Sequence, residues 1–295
     1  MTKLSTIFLL LVIALTFASG PAPGAASAAP PGMCYVVSTG PAGPELATLK
    51  AIDTMKNADL VLCSPQTAKT FQAYLQGKKV QDPWKKLWHY QGKIWMKDLS
   101  TFPPAERPKI VAQKSRERDE FVQQMKVLLG QGKKIALLDG GDPTIFSRAF
   151  WLLEGLSPEQ VEIIPGVGAY TASMAALKKA ATGGGARFVL QTAPFAFFGK
   201  SDREDLAQAL SRFPGTLVFY MALAQIQDLV VTLKKYNPGD LPVAVVYHAG
   251  YPQKQKVVKG TLDNILTRMA PENEKWLGMI IVGRAITGPN FILSK

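Results

Sequence analysis

The sequence is poor in the residues that build metal centres. It contains only two cysteines and two histidines in 295 residues, which is too few for a convincing structural zinc site. We therefore expect no bound metal. Cys34 and Cys63 both lie in apolar, strand-like runs. They could form a disulfide in an exported protein, or they could be two buried free thiols.

Long apolar runs are confined to the first thirty residues. Residues 7–18 are apolar except for Thr16, Lys3 precedes them, and small residues in an A-x-A arrangement end near Ala28 and Ala29. This pattern predicts a secretory signal peptide over residues 1–29 and a protein exported to the periplasm. The alternative is an uncleaved amino-terminal anchor, although a run of 12 residues is short for a membrane span. No later segment is long and apolar enough to cross a membrane.

The positive charge of the chain is large but has no arginine-rich tract. The net charge is +12, and its lysines and arginines are spread along the sequence. Such a distribution fits nucleic-acid binding, a solvated basic surface, or long-range attraction of a polyanionic small substrate. Charge is the sole feature that favours nucleic acid, so we expect a small-molecule partner and no nucleic acid.

Apolar, β-rich runs alternate with helical patterns after residue 30. Helices are expected at 45–56 after Pro44, in the stretch 103–132, at 170–179, 203–212 and 223–236, and at 262–269 with Thr261 as the cap. The alternation predicts an α/β protein with mainly parallel sheets, in two α/β domains with a cleft between them. We place the domains at residues 30–150 and 151–295. The expected strands are 34–37, 60–63, 135–138, 161–164, 188–191, 216–221, 243–247, 256–259 and 279–282.

Residues 80–108 have a different composition from their surroundings. Three of the five tryptophans lie in this stretch together with His89, Tyr90 and Phe102, and prolines interrupt its periodicity. Two interpretations are open. The stretch could be a hydrophobic flap that closes one edge of a sheet, or an aromatic wall for a flat apolar ligand.

Four strands are followed by turns that could approach a ligand. The turn after residues 35–38 resembles a nucleotide-binding turn but matches neither G-x-G-x-x-G nor G-x-x-x-x-G-K-[ST]. A two-glycine turn with Asp142 and Pro143 follows 135–138, and Pro143 is expected to begin a helix. Further turns carry Gly166 with Gly168, and Met221 with Ala222. Because ligands bind beyond the carboxyl ends of strands in open α/β sheets, these turns are expected to converge on one cleft.

In their order along the chain, these turns resemble the tetrapyrrole methylase family. The first turn reads STGPAGPELATLKA, where the family has G-x-G-P-G-D-P-E-L-L-T-L-K-A, and the second, GGDPTIFSR, matches G-G-D-P-x-I-F-x-R without change. The remaining motifs follow in the family's order: IPGVGA, TLVFYM, PVAVV with a later GTL, and the closing VGR. The resemblance covers about residues 33 to 286.

The resemblance implies a homodimer that uses S-adenosyl-L-methionine to C-methylate a porphyrinogen or precorrin-like tetrapyrrole, with the cofactor in the cleft between the domains. It implies neither a protein nucleophile nor a metal. Catalytic residues are not assigned, and Asp142 is the carboxylate expected to orient its loop by accepting backbone N–H groups. By the motif matches, the cofactor-binding residues are Pro41, Gly140, Gly141, Asp142, Ile145, Gly168, Ala169, Met221 and Gly250.

The sequence departs from the family pattern at several positions. Ser38, Ala42 and Gly43 replace two glycines and the aspartate of the first motif, and Ser64 stands where uroporphyrinogen methylases carry an aspartate base. His248 lies at the end of an expected strand. Two interpretations are open: a base or haem-type ligand in the cleft, or a hydrogen-bonded surface residue. Because S-adenosylmethionine is made inside cells, the predicted export favours an alternative function: an exported, non-catalytic protein that binds a tetrapyrrole or another small ligand on the same scaffold.

Overall fold

A computed structural model describes residues 32–192, 200–212 and 215–291. The predicted signal peptide, residues 1–29, lies outside the described residues and stays a prediction. The strands are β1 Met33–Ser38, β2 Leu60–Leu62, β3 Lys79–Gln81, β4 His89–Tyr90, β5 Lys93–Ile94, β6 Lys134–Asp139, β7 Val161–Ile164, β8 Val189–Gln191, β9 Thr216–Phe219, β10 Pro242–Tyr247, β11 Lys256–Thr261 and β12 Gly278–Val282.

The α-helices range from single turns to one helix of 24 residues. None of those within the described residues is both long and apolar enough to span a membrane. They are α1 Leu49–Asn57, α2 Pro65–Thr70, α3 Trp84–Leu87, α4 Trp95–Asp98, α5 Arg107–Gly130, α6 Phe150–Leu153, α7 Ala169–Leu177, α8 Lys200–Ser211, α9 Ile226–Lys234 and α10 Ile265–Arg268.

The first sheet is entirely parallel. Its strand order is β3-β2-β6-β1-β7, and Ser38 at the end of β1 pairs with Asp139 at the end of β6. Met125 and Leu129 of α5 pack on one face of this sheet, and Ala51 and Met55 of α1 pack on the other. Because both faces are covered, the central strands consist of continuous apolar residues and do not alternate between apolar and polar residues.

The second sheet has the order β11-β10-β12-β9-β8. The α/β class is confirmed, but the expectation of parallel pairing is wrong for most of this sheet. Only β8 and β9 pair in parallel, whereas β10–β11, β10–β12 and β12–β9 are antiparallel. For β10 and β11 the reason is that a short turn rather than a crossover helix joins them, and a short connection permits only antiparallel pairing.

The second sheet is covered on both faces as well. Leu229 and Leu233 of α9 and Ile265 of α10 lie in one apolar cluster, and Met174 and Leu177 of α7 lie in the other. Each such fully buried apolar side chain stabilises the fold by about 1.5–3 kcal/mol relative to its exposed state. The predicted division at residues 150 and 151 stays a prediction, and β7 of the first sheet follows that point in the chain.

Two helix starts differ from the sequence-based expectation. The segment after Pro44 forms one 3₁₀ turn, and α1 begins only at Leu49 because the Thr48 side chain accepts a hydrogen bond from the Ala51 N–H at 3.1 Å. Thr261 does not cap a helix over 262–269. Instead, its own N–H donates to the Asn264 side-chain oxygen at 3.0 Å, and α10 follows Asn264. In both cases the helix begins later in the chain than the sequence suggested.

Cys34 and Cys63 are buried free thiols. Cys34 packs on the α5 face of the first sheet and Cys63 on the α1 face. The strands β1 and β2 are also separated by β6, which keeps them about two strand spacings, or roughly 10 Å, apart. A disulfide needs a much shorter approach. Burial raises the pKa of Cys34 to about 12 and contributes most to raising the pKa of Cys63 to about 11, so both thiols stay protonated at neutral pH.

Candidate functional site

The turns after β1 and β6 are held together by direct hydrogen bonds. The Gly141 N–H donates to the Gly40 carbonyl at 2.8 Å, and the hydroxyl of the buried Ser38 donates to the Gly141 carbonyl. The same hydroxyl accepts from the Gly40 N–H at 3.3 Å. Ser38, which replaces a family glycine, therefore joins the two turns.

The turn after β7 approaches both of them closely. A Cβ atom added to Gly166 would overlap the Ser38 hydroxyl, and one added to Gly168 would lie 3.2 Å from the Cβ of Asp142. Because β7, β1 and β6 are adjacent parallel strands, their carboxyl ends lie at one edge of the sheet. The predicted convergence of these three turns is confirmed.

Asp142 orients its own turn, as the sequence predicted. Its Oδ1 accepts the Thr144 N–H at 2.9 Å and the Thr144 hydroxyl at 2.7 Å. Pro143 does not begin a helix, however, and this expectation was wrong. The chain forms turns after Asp142, and the next helix, α6, begins at Phe150. The side chain of Asp142 bonds two residues ahead, which is the pattern of a turn rather than of a helix start.

The second sheet contributes the residues that follow β9 and β10. Met221 and His248 both have left-handed backbones, with φ of 52° and 47°. Such conformations cost about 1 kcal/mol or more for a non-glycine residue and concentrate at functional sites. The Tyr220 hydroxyl donates to the Gln191 side chain at 2.6 Å. Burial is the main cause that raises the pKa of Tyr220 to about 12, so this hydroxyl stays protonated.

These turns enclose two small adjoining cavities. One, of about 150 Å³, contains seven of the nine predicted cofactor residues in its wall, and the other, of about 160 Å³, contains Pro41. Ala169, Tyr220 and Met221 line both cavities. The seven are Gly140, Gly141, Asp142, Ile145, Gly168, Ala169 and Met221.

Gly250, the ninth predicted residue, lies beside the first turn. A Cβ atom on Gly250 would be 3.4 Å from Pro41 and 3.3 Å from Ala42, and its φ of +87° favours glycine. Gly250 thus lets β10's turn pack against the turn after β1. The structure gathers all nine residues at one place, and their role in binding a cofactor stays a prediction.

A much larger cavity, of about 820 Å³, opens beside the small ones. It shares Gly140, Phe146 and Met221 with the cavity of about 150 Å³, so the two meet at these three residues. Most of its wall is apolar or aromatic. The described residues that line it are Trp88, Ile94, Met96, Lys97, Asp139, Gly140, Phe146, Ser147, Arg148, Trp151, Met221 and Trp276.

The tryptophan-rich stretch is divided between the core and this cavity. Trp84 is buried in the α5 face of the first sheet, and Trp95 packs with Phe102 and Ile110 in a small cluster. Trp88 and the segment 94–97 line the large cavity. Both interpretations of residues 80–108 therefore describe part of the stretch, and its functional role stays a prediction.

Two cations are placed in the wall by aromatic rings. The Lys97 ammonium lies 3.7 Å from the centre of the Trp276 ring, and the Arg148 guanidinium lies 4.2 Å from that of Trp84. Burial lowers the pKa of Arg148 from its usual range, although nearby Asp139 and Asp82 act to raise it. An arginine stays charged at neutral pH. The cavity is thus an aromatic space with two positive groups.

Asp139 is a site residue that the sequence analysis missed. It ends β6, its Oδ1 accepts the Gly140 N–H at 3.0 Å, and its Oδ2 accepts the Ser147 hydroxyl. Burial raises the pKa of the Asp139 carboxyl, against the lowering effects of Ser147, Arg148 and Gly140. Its place directly before the two-glycine turn was the available signal. Phe146, in the GGDPTIFSR motif, and Tyr220, in the TLVFYM motif, were also missed as site residues.

Other candidates lie elsewhere. Ser64 accepts the Thr67 N–H at 3.2 Å and caps α2, and it lines none of the three cavities. His248 lines the cavity of about 160 Å³, with its Nε2 3.4 Å from the Glu274 carboxylate. Within the described residues, no group of three histidine, cysteine or acidic side chains is arranged to hold a metal.

The raised pKa of Asp139 predicts a pH-dependent effect on stability. An unfolded aspartate ionises near pH 3.9, and the folded carboxyl ionises at a higher pH because it is buried. Between these two values the folded state binds more protons, so the contribution of Asp139 to stability falls as pH rises. Relative to the wild type, we therefore expect Asp139→Asn to become more stable between pH 4 and pH 7.5, measured by urea unfolding.

Asp59 provides a control of opposite sign. The Lys134 N–H, which donates to Asp59 at 2.8 Å, is the largest cause of its lowered pKa. Because its pKa is lowered in the folded state, the ionised Asp59 carboxylate stabilises the fold above about pH 4. Asp59→Asn lacks this contribution, so it should become less stable relative to the wild type as pH rises. The effect is small because this carboxylate is exposed. An Asp139→Asn difference that is the same at both pH values would contradict the account.

Comparison with known proteins is consistent with this geometry. The family model described as Tetrapyrrole (Corrin/Porphyrin) Methylases matches residues 33–266. A cobalt-precorrin-4 C(11)-methyltransferase of Methanocaldococcus jannaschii is 28% identical and aligns over 88% of this chain and 90% of its own. A precorrin-4 C(11)-methyltransferase of Mycobacterium tuberculosis is 34% identical over 68% of this chain and 81% of its own.

Solved structures show the same fold. A cobalt precorrin-4 methyltransferase superposes with a TM-score of 0.64 at 21% identity, covering 86% of this chain and 95% of that one. A uroporphyrin-III C-methyltransferase from Thermus thermophilus, complexed with S-adenosylhomocysteine, gives 0.55 at 24% identity and covers 86% and 98% of the two chains. The enzymes of this family use S-adenosyl-L-methionine. The ordered turns, the cleft they form and the match over residues 33–266 show that this chain belongs to the tetrapyrrole methylase family.

Proposed function

We propose that the protein transfers a methyl group from S-adenosyl-L-methionine to a carbon of a porphyrinogen or precorrin-like tetrapyrrole. One observation carries this proposal. The cavity of about 150 Å³, formed by the strand-end turns, meets the large aromatic cavity at Gly140, Phe146 and Met221. A methyl transferase needs two ligands that touch at one point, and this junction provides such a point.

The turns fit a cofactor that must approach the backbone closely. A Cβ atom at Gly140 would meet no protein atom within 4 Å, so the space beside this residue is open to a ligand. Gly141 has a φ of +72°, which glycine adopts without strain. We propose that Gly140, Gly141, Asp142, Ala169 and Met221 hold the cofactor, together with the other four predicted residues. When bound, the cofactor supplies a methyl group on a positively charged sulfur.

The large cavity fits a broad, flat acceptor that carries acidic groups. Its walls include Trp88, Trp151 and Trp276, and large rigid rings provide much contact area. Lys97 and Arg148 are placed to pair with carboxylates of the acceptor. The net charge of +12 attracts such a polyanion at long range. Inside the cavity, the aromatic walls exclude water and align the acceptor carbon with the methyl group.

A methyl-transfer assay with the full chain tests this function. We expect the protein to transfer the labelled methyl of S-adenosylmethionine to uroporphyrinogen III or to a precorrin preparation, and the acceptor to gain the mass of one CH₂ per methylation because a methyl group replaces a hydrogen. Heat-denatured protein is the control. Tight uptake of uroporphyrin without S-adenosylmethionine binding or methyl transfer would instead support the second candidate, an exported, non-catalytic tetrapyrrole-binding protein.

We also propose that the chain is exported to the periplasm and acts as a homodimer. Export is supported by the signal-like pattern of residues 1–29, and the homodimer by the family resemblance. Amino-terminal sequencing of the protein recovered from the periplasm, which should begin near residue 30, tests the first statement. Light scattering of the purified protein, which should give twice the chain mass, tests the second.

A further inference from the structure

We propose that Asp139 is the catalytic residue that accepts the proton which the acceptor loses after methylation. This inference rests on the proposed function. Asp139 lines the large cavity next to Gly140, and Gly140 belongs to the junction with the cofactor turns. A group at this position faces the acceptor close to the carbon that receives the methyl.

Asp139 is the only carboxylate among the described residues that line the large cavity. Asp142 lines the cavity of about 150 Å³ instead, and its Oδ1 is occupied by Thr144. Tyr220, which lines the two small cavities, stays protonated at neutral pH because its pKa is raised to about 12. Asp139 is therefore the group in the wall of the large cavity that can take a proton.

The carboxylate is held in a fixed orientation. The Gly140 N–H donates to Oδ1 at 3.0 Å and the Ser147 hydroxyl donates to Oδ2. The Asp139 backbone is fixed as well, because its carbonyl accepts the Thr39 N–H at 2.8 Å and the Thr39 hydroxyl at 3.0 Å. Each carboxylate oxygen has a second lone pair, so both anchors leave room for a proton from the acceptor.

The charged and titratable groups around Asp139 suit a proton acceptor. The positive charge of Arg148 favours the ionised form of Asp139, while burial favours the protonated form and raises the pKa. Lys97 lies in the same cavity wall, Asp82 acts on Arg148, and Asp142 lies in the adjoining cavity. A base whose pKa is closer to neutral than that of a free aspartate is better matched to proton transfer.

The reaction balances without another reactant. A pair of electrons from the acceptor ring forms the new carbon–carbon bond, and the methyl–sulfur bond breaks with its electrons kept by sulfur. The sulfonium becomes a neutral thioether, and the acceptor ring carries the positive charge. Loss of one proton from a carbon or nitrogen of the acceptor to Asp139 restores its neutrality. The Asp139 carboxylic acid then releases this proton to water.

The test compares Asp139→Asn with Asp59→Asn, since Asp59 lines none of the three cavities. Asparagine keeps an oxygen for the Gly140 N–H in the first variant and for the Lys134 N–H, which donates to Asp59 at 2.8 Å, in the second. With uroporphyrinogen III and S-adenosylmethionine, we expect Asp139→Asn to lower kcat by about 10²–10⁴-fold, the range for loss of a general base. The wild-type rate should fall at acidic pH as Asp139 is protonated, and the variant should lack this limb.

Binding measurements separate a catalytic role from a structural one. Asp139→Asn should bind S-adenosylhomocysteine as the wild type does, and uroporphyrin equally well or more tightly because one negative charge is gone from the cavity. Asp59→Asn should keep the wild-type rate. A wild-type rate in Asp139→Asn, or a parallel loss of rate and of both ligands, overturns the inference. A wild type that methylates neither uroporphyrinogen III nor a precorrin preparation overturns the proposed function itself and this inference with it.

Discussion

Gly140→Leu is expected to abolish cofactor binding while leaving the fold intact. A Cβ atom at Gly140 meets no protein atom within 4 Å, and the Gly140 backbone is not in the left-handed region. The added side chain therefore extends into the space shared by the large and small cavities. We expect the Kd of S-adenosylhomocysteine to rise at least about 100-fold, equivalent to about 2.7 kcal/mol, in calorimetric titration.

Gly130→Leu is the matched control for this variant. Gly130 ends α5, and a Cβ atom there also meets nothing within 4 Å, but Gly130 lines none of the three cavities. Both variants should unfold at the urea concentration of the wild type or above. Undiminished binding of S-adenosylhomocysteine to Gly140→Leu would show that the strand-end turns do not form the cofactor site.

Gly166→Ala is expected to destabilise the fold, and Ser38→Gly is expected to reverse much of the loss. The new Cβ would overlap the hydroxyl of Ser38 and lie 2.7 Å from its Cβ. Ser38 is fully buried and bonded to the neighbouring turns, so it cannot move aside. Overpacking of this kind costs about 1–3 kcal/mol, measured as the free energy of urea unfolding.

The double variant isolates this contact. Ser38→Gly alone removes hydrogen bonds and should destabilise by about 1 kcal/mol, but in the Gly166→Ala background it also removes the overlap. The two effects should therefore be non-additive by about 1 kcal/mol or more. Gly43→Ala is the control, because its Cβ would meet only the outer end of the exposed Glu45 side chain. Additive effects would show that Ser38 and Gly166 are not packed together as described.

The sequence predicted the elements well where local pattern determines them. The central strands of the first sheet are apolar because both of their faces are covered, and β1, β6 and β7 follow such runs. The convergence of their turns followed from the parallel order of the strands alone. The residues around Asp142 were also predictable, because an aspartate beside glycines commonly accepts hydrogen bonds from its own turn.

Features that depend on distant residues were not predictable in this way. β10 pairs with β12 in antiparallel orientation, although β11 lies between them in the chain. Strand propensity does not tell whether two strands pair in parallel or antiparallel orientation. The raised pKa of Asp139 and its place in the wall of the large cavity depend on the folded surroundings, which include Arg148 and Ser147. The role of Ser38 likewise rests on the Gly141 carbonyl, 103 residues away. The family motif marks Ser38 as a departure, whereas the structure shows what it contacts.

Calorimetric titration of the full chain with S-adenosylhomocysteine, before and after saturation with uroporphyrin, tests the central claim most directly. The claim is that the turns after β1, β6, β7 and β9 hold the cofactor beside an aromatic cavity that takes a tetrapyrrole. We predict micromolar binding of S-adenosylhomocysteine, and we predict that it persists when uroporphyrin is bound, because the two ligands occupy adjoining cavities. Absence of S-adenosylhomocysteine binding at millimolar concentration, or its complete displacement by uroporphyrin, would contradict the account.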